Sequence, residues 1–337
     1  MNYKVFIIVY NQPKKSEIMK RFLLFTGMIA LIAIVLTSCK KDPPVCDFTY
    51  VANGLTVTFT SAATNSETYL WEFGDGNTST EMNPVHKYDG GGDYEVKLTA
   101  TGEGGSDYKR ETITVVVSLA DVKDMLSGGS SAVNGKTWIL KTSAITTGDG
   151  ASAVEPSMLV LIPTPADFYG WLGREKNTGL IDEFTFKSDG SYSVNAKNDT
   201  VIAISIFALV NGITVPNTNG PYGTCRAKYT GPAGATWTLN ESNFTVDAIT
   251  NPSETAVPPP HANVTFTGTK WLSLSTGSYF GFLDFTTSSK IIIKSITPTQ
   301  MQVALMVCMY SGVGLPGGLA YANYPTHMYH MTFIPKP

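Results

Sequence analysis

The sequence has little charge and almost no cysteine. Only 15% of its 337 residues are Asp, Glu, Lys or Arg, and 24 basic residues against 27 acidic ones give a formal net charge of −3. With no basic surplus to neutralise a phosphate backbone, nucleic acid is not an expected partner. The sequence also lacks a G-x-S-x-G elbow, an H-E-x-x-H helix motif and a phosphate-binding loop, which removes the commonest hydrolase, zinc-protease and nucleotide signatures. No long amphipathic helix is written in residues 136–337. What is present is 43% hydrophobic residues, enough for one or two substantial cores.

The N-terminus sets the compartment. From Met19 the chain reads "MKRFLLFTGMIALIAIVLTSC", with Lys20 and Arg21 followed by a 15-residue weakly polar to apolar run, Phe22 to Leu36. That run falls short of the roughly 18 to 20 residues a spanning helix needs. Its order of basic, apolar and small residues is that of a secretory signal. Leu36-Thr37-Ser38-Cys39 resembles the lipobox of bacterial lipoproteins, and the resemblance implies acylation of Cys39. Residues 1–38 are then a signal peptide with its start at Met19, and 39–45, containing "KKDPP", is an extended lipid-anchored tether. The other cysteines, Cys46, Cys225 and Cys308, allow at most one disulfide. Cys225 with Cys308 is the pairing to try first, and buried free thiols are the equal alternative.

Leu55-Val57-Phe59, Tyr69-Trp71-Phe73, Tyr94-Val96-Leu98-Ala100 and Ile113-Val115-Val117 each alternate with a period of two, the pattern of half-buried strands. "FGDGNTS" and "YDGGGDY" are the turns between them. Trp71 suits the space between two sheets, and Gly74 and Gly76 permit turn conformations closed to other residues. Through "WEFGDG", "NPVHKY" and "GGDYEVKLTATG", residues 46–118 resemble the polycystic-kidney-disease (PKD) domain, which implies an immunoglobulin-like sandwich acting as a spacer or interaction module.

Residues 119–135 combine a short helix candidate, "LADVKDML", with "SGGSSAVNGK" and read as a linker. Residues 136–337 carry strand patterns at 137–141, 158–162, 182–187, 191–196, 236–240, 264–267, 271–275, 279–285, 291–296, 301–310 and 328–334, with 201–210 a further buried strand. The expected fold is all-β: the small sandwich followed by a larger β-sandwich or jelly roll. "NGKTWIL", "YGWLG", "IDEFTFKSDGSYSV", "GATWTL", "SYFGFLDF", "IKSITPTQMQV" and "HMTFIPK" resemble the domain that follows a PKD module in lipoproteins of bacterial polysaccharide-utilisation systems. That resemblance implies a non-catalytic, outward-facing outer-membrane lipoprotein. It would bind polysaccharide or oligosaccharide, a β-glucan among the candidates, beside a glycan transporter complex.

Sugar rings stack their C–H faces on Trp or Tyr and offer their hydroxyls to Asn, Asp, Gln, Arg or Lys. Trp171, Tyr169, Asp167, Arg174 and Glu175 bring that mixture into one loop and are the expected glycan-binding residues. Tyr222, Tyr321 and Tyr324, in Gly/Pro/Asn-rich loops, rank below them. Trp138, Trp237 and Trp271 sit in alternating strands and are expected in the core. No catalytic residue, cofactor or metal site is expected. His327 and His330, three apart in a strand, face opposite sides, as do the adjacent Asp182 and Glu183. A glycoside hydrolase with loop-assembled acids and an adhesive lipoprotein binding proteins through the PKD edge are the alternatives. Cys39→Ala is expected to leave the protein unprocessed or in the aqueous phase on detergent phase separation; unchanged partitioning would remove the anchor.

Overall fold

A computed structural model of the chain describes residues 41–141, 148–158, 162–163, 182–204, 207–208, 211, 224–251, 255–284 and 290–337, with residues 16, 19 and 20 near the N-terminus. Cys39, the apolar run 22–36, Trp171, Tyr169, Asp167, Arg174, Glu175 and Tyr222 lie outside the described residues. Two compact units divide the chain. Met1–Val51, Thr58–His86 and Tyr94–Ile113 form the first, and Ala52–Val57, Lys87–Asp93 and Thr114–Pro337 the second.

The N-terminal strands are β1 (Phe48–Asn53), β2 (Thr56–Ser61), β3 (Thr68–Glu72), β4 (Thr78–Ser79), β5 (Val85–Lys87), β6 (Gly92–Gly102) and β7 (Gly105–Val115). They form one sheet of order β1-β2-β5 and another of order β4-β3-β6-β7. Trp71 is fully buried, its ring 5.1 Å from Phe48 and 5.2 Å from Phe59. Its indole N–H donates to Glu81 O at 3.0 Å, so the large ring is buried without leaving a polar atom unpaired. In the turn after it, Gly74 has φ 85°, and a Cβ there would stand 2.7 Å from Glu95 O. Asp75 accepts from Asn77 N at 2.9 Å and pairs with His86 Nε2 at 2.7 Å. The turn residues therefore have the folding roles expected of them.

Helix α1 (Leu119–Ser127) starts with a reciprocal capping box: Ser118 Oγ accepts from Asp121 N, and Asp121 Oδ2 accepts from Ser118 N. Gly128 ends it in the left-handed conformation at φ 83°. Val122, Met125 and Leu126 are its buried face.

The larger sheet uses β8 (Lys136–Leu140), β9 (Gly150–Ala153), β10 (Ile162–Pro163), β11 (Glu183–Phe186), β12 (Tyr192–Asn195), β15 (Trp237–Glu241), β18 (Lys270–Leu274), β19 (Lys290–Ile296), β20 (Met301–Val307) and β21 (His327–Pro335). Outside it stand two hairpins, β13 (Thr200–Ile204) with β14 (Thr224–Lys228) and β16 (Phe244–Ile249) with β17 (His261–Phe266). The main order is β12-β11-β8-β21-β20-β19-β18-β15, antiparallel throughout. Its two ends meet. Ser191 bridges Thr236, Tyr192 N donates to Ala235 O at 2.8 Å, and Trp237 N donates to Gly190 O at 2.9 Å. Omitting β9, β10 and the two hairpins, each strand neighbours the next in sequence and the last returns to the first, the connectivity of an up-and-down closed sheet.

Cross-strand partners lie on one side of a sheet. Phe184 opposite Trp138, Phe333 opposite Leu140, Met331 opposite Val303 and Leu274 opposite Trp237 are all buried on the enclosed side. Trp138 and Trp237 are core residues as expected, and α1 packs on β8, β11, β15 and β19, where Leu126 O accepts from Trp138 Nε1 at 2.8 Å. The segment 279–285 was expected as a strand. Instead, residues 278–284 are buried and turn at Gly281, φ 71°, where Phe282 N donates to Phe280 O at 2.8 Å. A positive φ cannot continue an extended strand. The turn sends Phe280 against Phe333 at 4.4 Å, Phe184 at 4.7 Å and Phe186 at 5.8 Å, filling the enclosed space. Of the expected strand 201–210, residues up to Ile204 form β13, while Phe207 and Ala208 are helical.

Asp182 is fully buried among polar partners. Its carboxylate accepts from Tyr279 Oη at 2.6 Å and from Arg226 Nη2 at 3.3 Å, joining the β13–β14 hairpin to the buried segment 278–284. Leu283 N donates to Ile202 O at 2.8 Å beside it. Outside the sheet, the β16–β17 hairpin covers a second core of Phe244, Ala248, Phe266, Ile292, Ala304, Met306 and Met328, and Trp271 packs against it. Phe280→Ala is expected to lower stability by about 3 to 5 kcal/mol in thermal or denaturant unfolding. Leu319→Ala, at a side chain 51% exposed, should stay within about 0.5 kcal/mol.

Candidate functional site

The β16–β17 hairpin has two unlike faces because its strands alternate. Phe244, Val246, Ala248, Val264 and Phe266 turn to the second core. Thr245, Asp247, His261, Asn263 and Thr265 occupy the opposite face, in the cross-strand pairs Thr245–Thr265, Asp247–Asn263 and Ile249–His261. Thr245 Oγ1 and Thr265 Oγ1 share a hydrogen bond of 2.8 Å, and His261 Nδ1 meets Asp247 Oδ1 at 2.7 Å. Both members of that pair remain more than a third exposed, so the pairing orients the two side chains rather than locking them.

At the His261 end stand two tyrosines from another loop. Tyr321 closes the 3₁₀ turn Gly318–Tyr321, and Tyr324 N donates back to Tyr321 O at 3.1 Å. The loop is tied down on both sides: Ile249 N donates to Pro325 O at 3.0 Å, Thr326 N to Val307 O at 2.9 Å, and Met309 N to Thr326 Oγ1 at 2.8 Å. The rings of Tyr321 and Tyr324 lie 5.5 Å apart, with the His261 ring 6.4 Å from the first and 5.6 Å from the second. All three are partly open to solvent. Aromatic faces beside a carboxylate, an amide and hydroxyls supply both elements of sugar recognition. The signal for this site in the sequence was two tyrosines in a Gly/Pro/Asn-rich loop. Asp247, His261, Asn263 and both threonines carried none, since only folding places them beside the tyrosines.

Several other polar groups pair within the fold. His330 is buried, its Nε2 2.8 Å from Ser152 Oγ and its Nδ1 3.1 Å from Lys294 Nζ. An ammonium can only donate, so Nδ1 accepts, Nε2 carries the proton, and Ser152 Oγ in turn donates to Ala153 O at 2.9 Å. A histidine that is donating to the serine cannot take its proton. Burial, aided by the Lys294 charge, pushes His330 down to about 4. His327 is half-buried, and burial lowers it too. Asp182 points into the core, whereas Glu183 lies outside with Lys197 at 2.7 Å and Lys336 at 3.0 Å. Despite the opposing effect of burial, hydrogen bonds from Lys197, Lys336 and Asn195 bring Glu183 down to about 2. Cys46, Cys225 and Cys308 are buried and form no disulfide among the described residues, and burial pushes the Cys308 thiol up to about 12. Among the described residues no group of three or more His, Cys, Asp or Glu is placed to hold a metal ion.

The fold and this face define an all-β protein in which a PKD module precedes a closed antiparallel sheet carrying an aromatic and polar surface. Residues 41–117 match the family model of the PKD domain, and this part of the chain is a PKD domain. Among curated proteins, the pre-pro-metalloprotease PrtV of Vibrio cholerae is 34% identical over 155 residues, 44% of this chain and 15% of that protein. Collagenase ColQ1 of Bacillus cereus is 52% identical over 48 residues, 14% of this chain and 5% of the collagenase. The chain therefore spans a small part of these relatives' length. The solved PKD1 domain of PrtV is 38% identical and covers 23% of this chain and 100% of that domain, with a TM-score of 0.22. A structure of carbohydrate-binding modules from the β-sandwich superfamily aligns over 88% of this chain and 92% of its own at 15% identity, and its TM-score of 0.23 is too low to bear on function.

Stability is expected to fall as pH drops from about 6.5 towards 4. Over that interval the unfolded chain takes up a proton that buried His330 refuses. The stabilisation is complete above the ordinary histidine value and lost on acidification. His330→Gln should reduce the slope of melting temperature against pH in that window, leaving the part due to His327.

Proposed function

We propose that the protein is a non-catalytic glycan-binding lipoprotein. The PKD domain spaces the larger domain from the outer membrane, and the larger domain captures polysaccharide for partner enzymes and a transporter. The observation that carries this reading is the convergence of Tyr321, Tyr324 and His261 with Asp247 on one solvent-facing surface. Anchoring through Cys39 and outward orientation rest on the lipobox-like N-terminus. Trp171, with Tyr169, Asp167, Arg174 and Glu175, remains a second proposed stacking platform on the strength of its loop composition.

A glycan array with the purified protein, followed by isothermal titration of its hits, tests the reading. Tyr321→Ala and Tyr324→Ala should each weaken binding by roughly tenfold or more, taking base–aromatic stacking of about 1 to 3 kcal/mol as the guide. Neither should move the melting temperature by more than a few degrees. Trp171→Ala in the same titration decides the second platform. Absence of any glycan hit would overturn the proposal. Release of reducing sugar by the unmodified protein would select a hydrolase instead, and capture of a protein partner alone would select the adhesive reading.

A further inference from the structure

Resting on that glycan-binding reading, we infer that the site takes an extended, uncharged oligosaccharide lying along the β16–β17 hairpin, with one unit against Tyr321 and Tyr324. The polar face continues beyond the aromatic cluster. From His261 it runs through Asp247 and Asn263 to the hydrogen-bonded Thr245 and Thr265, all on one side of the two strands. Four residue steps at about 3.3 Å each make this row about 13 Å long, roughly the length of three pyranose units. Hydroxyls, an amide and a carboxylate in a line supply donors and acceptors to successive sugar hydroxyls. Asn263, Thr245 and Thr265 are exposed along it. Directly beneath them the second core buries Phe244 and Phe266, so the row stands on a supported surface.

Charge sets the ligand class. Residues 242–269 and 308–326, which supply the hairpin, its loop and both tyrosines, contain no Lys or Arg, and their acidic residues are Asp247 and Glu254. A uronate or sulfate brought onto this row would meet the Asp247 carboxylate without a Lys or Arg partner from these segments. An uncharged chain meets no such penalty and uses Asp247 as an acceptor.

Titration at pH 8 with laminari- and cello-oligosaccharides, from mono- to hexasaccharide, measures the length dependence. Oligogalacturonates of the same lengths provide the charged arm. Affinity should rise by about tenfold or more from mono- to trisaccharide and then level off, with oligogalacturonates at least about tenfold weaker. Asn263→Ala should abolish the gain from mono- to trisaccharide while leaving the melting temperature unchanged. Asp247→Asn should narrow the gap between neutral and acidic chains. Equal affinity for mono- and trisaccharide, oligogalacturonate binding as tight as neutral binding, or no effect of Asn263→Ala would each overturn the inference while leaving the glycan-binding reading in place, provided Tyr324→Ala still weakens binding. If no oligosaccharide of these three series binds, the inference fails, and the glycan-binding reading fails with it only if the glycan array also gives no hit.

Discussion

Closure of the large sheet is the constraint on which the rest of the second unit depends. When β12 meets β15 through the Ser191–Thr236 bridge, edge strands are removed and one face of every ladder strand becomes interior. An eight-stranded closed sheet encloses a space that its own side chains just fill. Here the filling is completed by the buried segment 278–284, whose Phe280 joins Phe184, Phe186 and Phe333. That turn requires a glycine at φ 71° between two phenylalanines. A Cβ on Gly281 would also stand 3.0 Å from Leu305 Cδ1 and 3.1 Å from Phe333 Cζ.

With the interior filled, recognition moves to the outside. The outer face of β18–β21 is unusually apolar at Ile292, Ala304, Met306 and Met328, and the β16–β17 hairpin covers it. Alternation in the hairpin then does two jobs. One set of residues buries apolar area, and the other is presented to solvent on a rigid base. The tyrosine loop reaches the same place because its backbone is held by β16 and β20. Aromatic and polar groups distant in sequence thus share one face.

Buried ionisable groups follow the same economy. Asp182 accepts hydrogen bonds from Tyr279 and Arg226, which couples the buried segment 278–284 to the β13–β14 hairpin. His330 remains neutral instead, between Lys294 and Ser152. In both cases the buried polar atoms find hydrogen-bond partners, the alternative being unpaired polar groups in a low-dielectric interior.

Much of this was legible in the sequence, and the limits have physical causes. The period-two alternation of Tyr69-Trp71-Phe73 and of Tyr94 to Ala100, with glycines in the turn after Phe73, determined the PKD strands, because local sterics and one buried face suffice to set them. Trp138 and Trp237 were readable as core for the same reason. Short or weakly patterned strands were not: β9 is "GASA" and β14 is "TCRAK", and each is extended only because a neighbouring strand supplies its hydrogen bonds. In 279–285 the apolar alternation was real, but a glycine turn and an available interior overrode it. The sequence by itself determined an all-β chain, its PKD module and the polar and aromatic character of its loops. Only the tertiary structure decided that the large sheet closes, that Phe280 fills it, and that Tyr321 and Tyr324 stand beside Asp247 and His261. Those outcomes depend on pairings between segments tens of residues apart, which local periodicity does not encode.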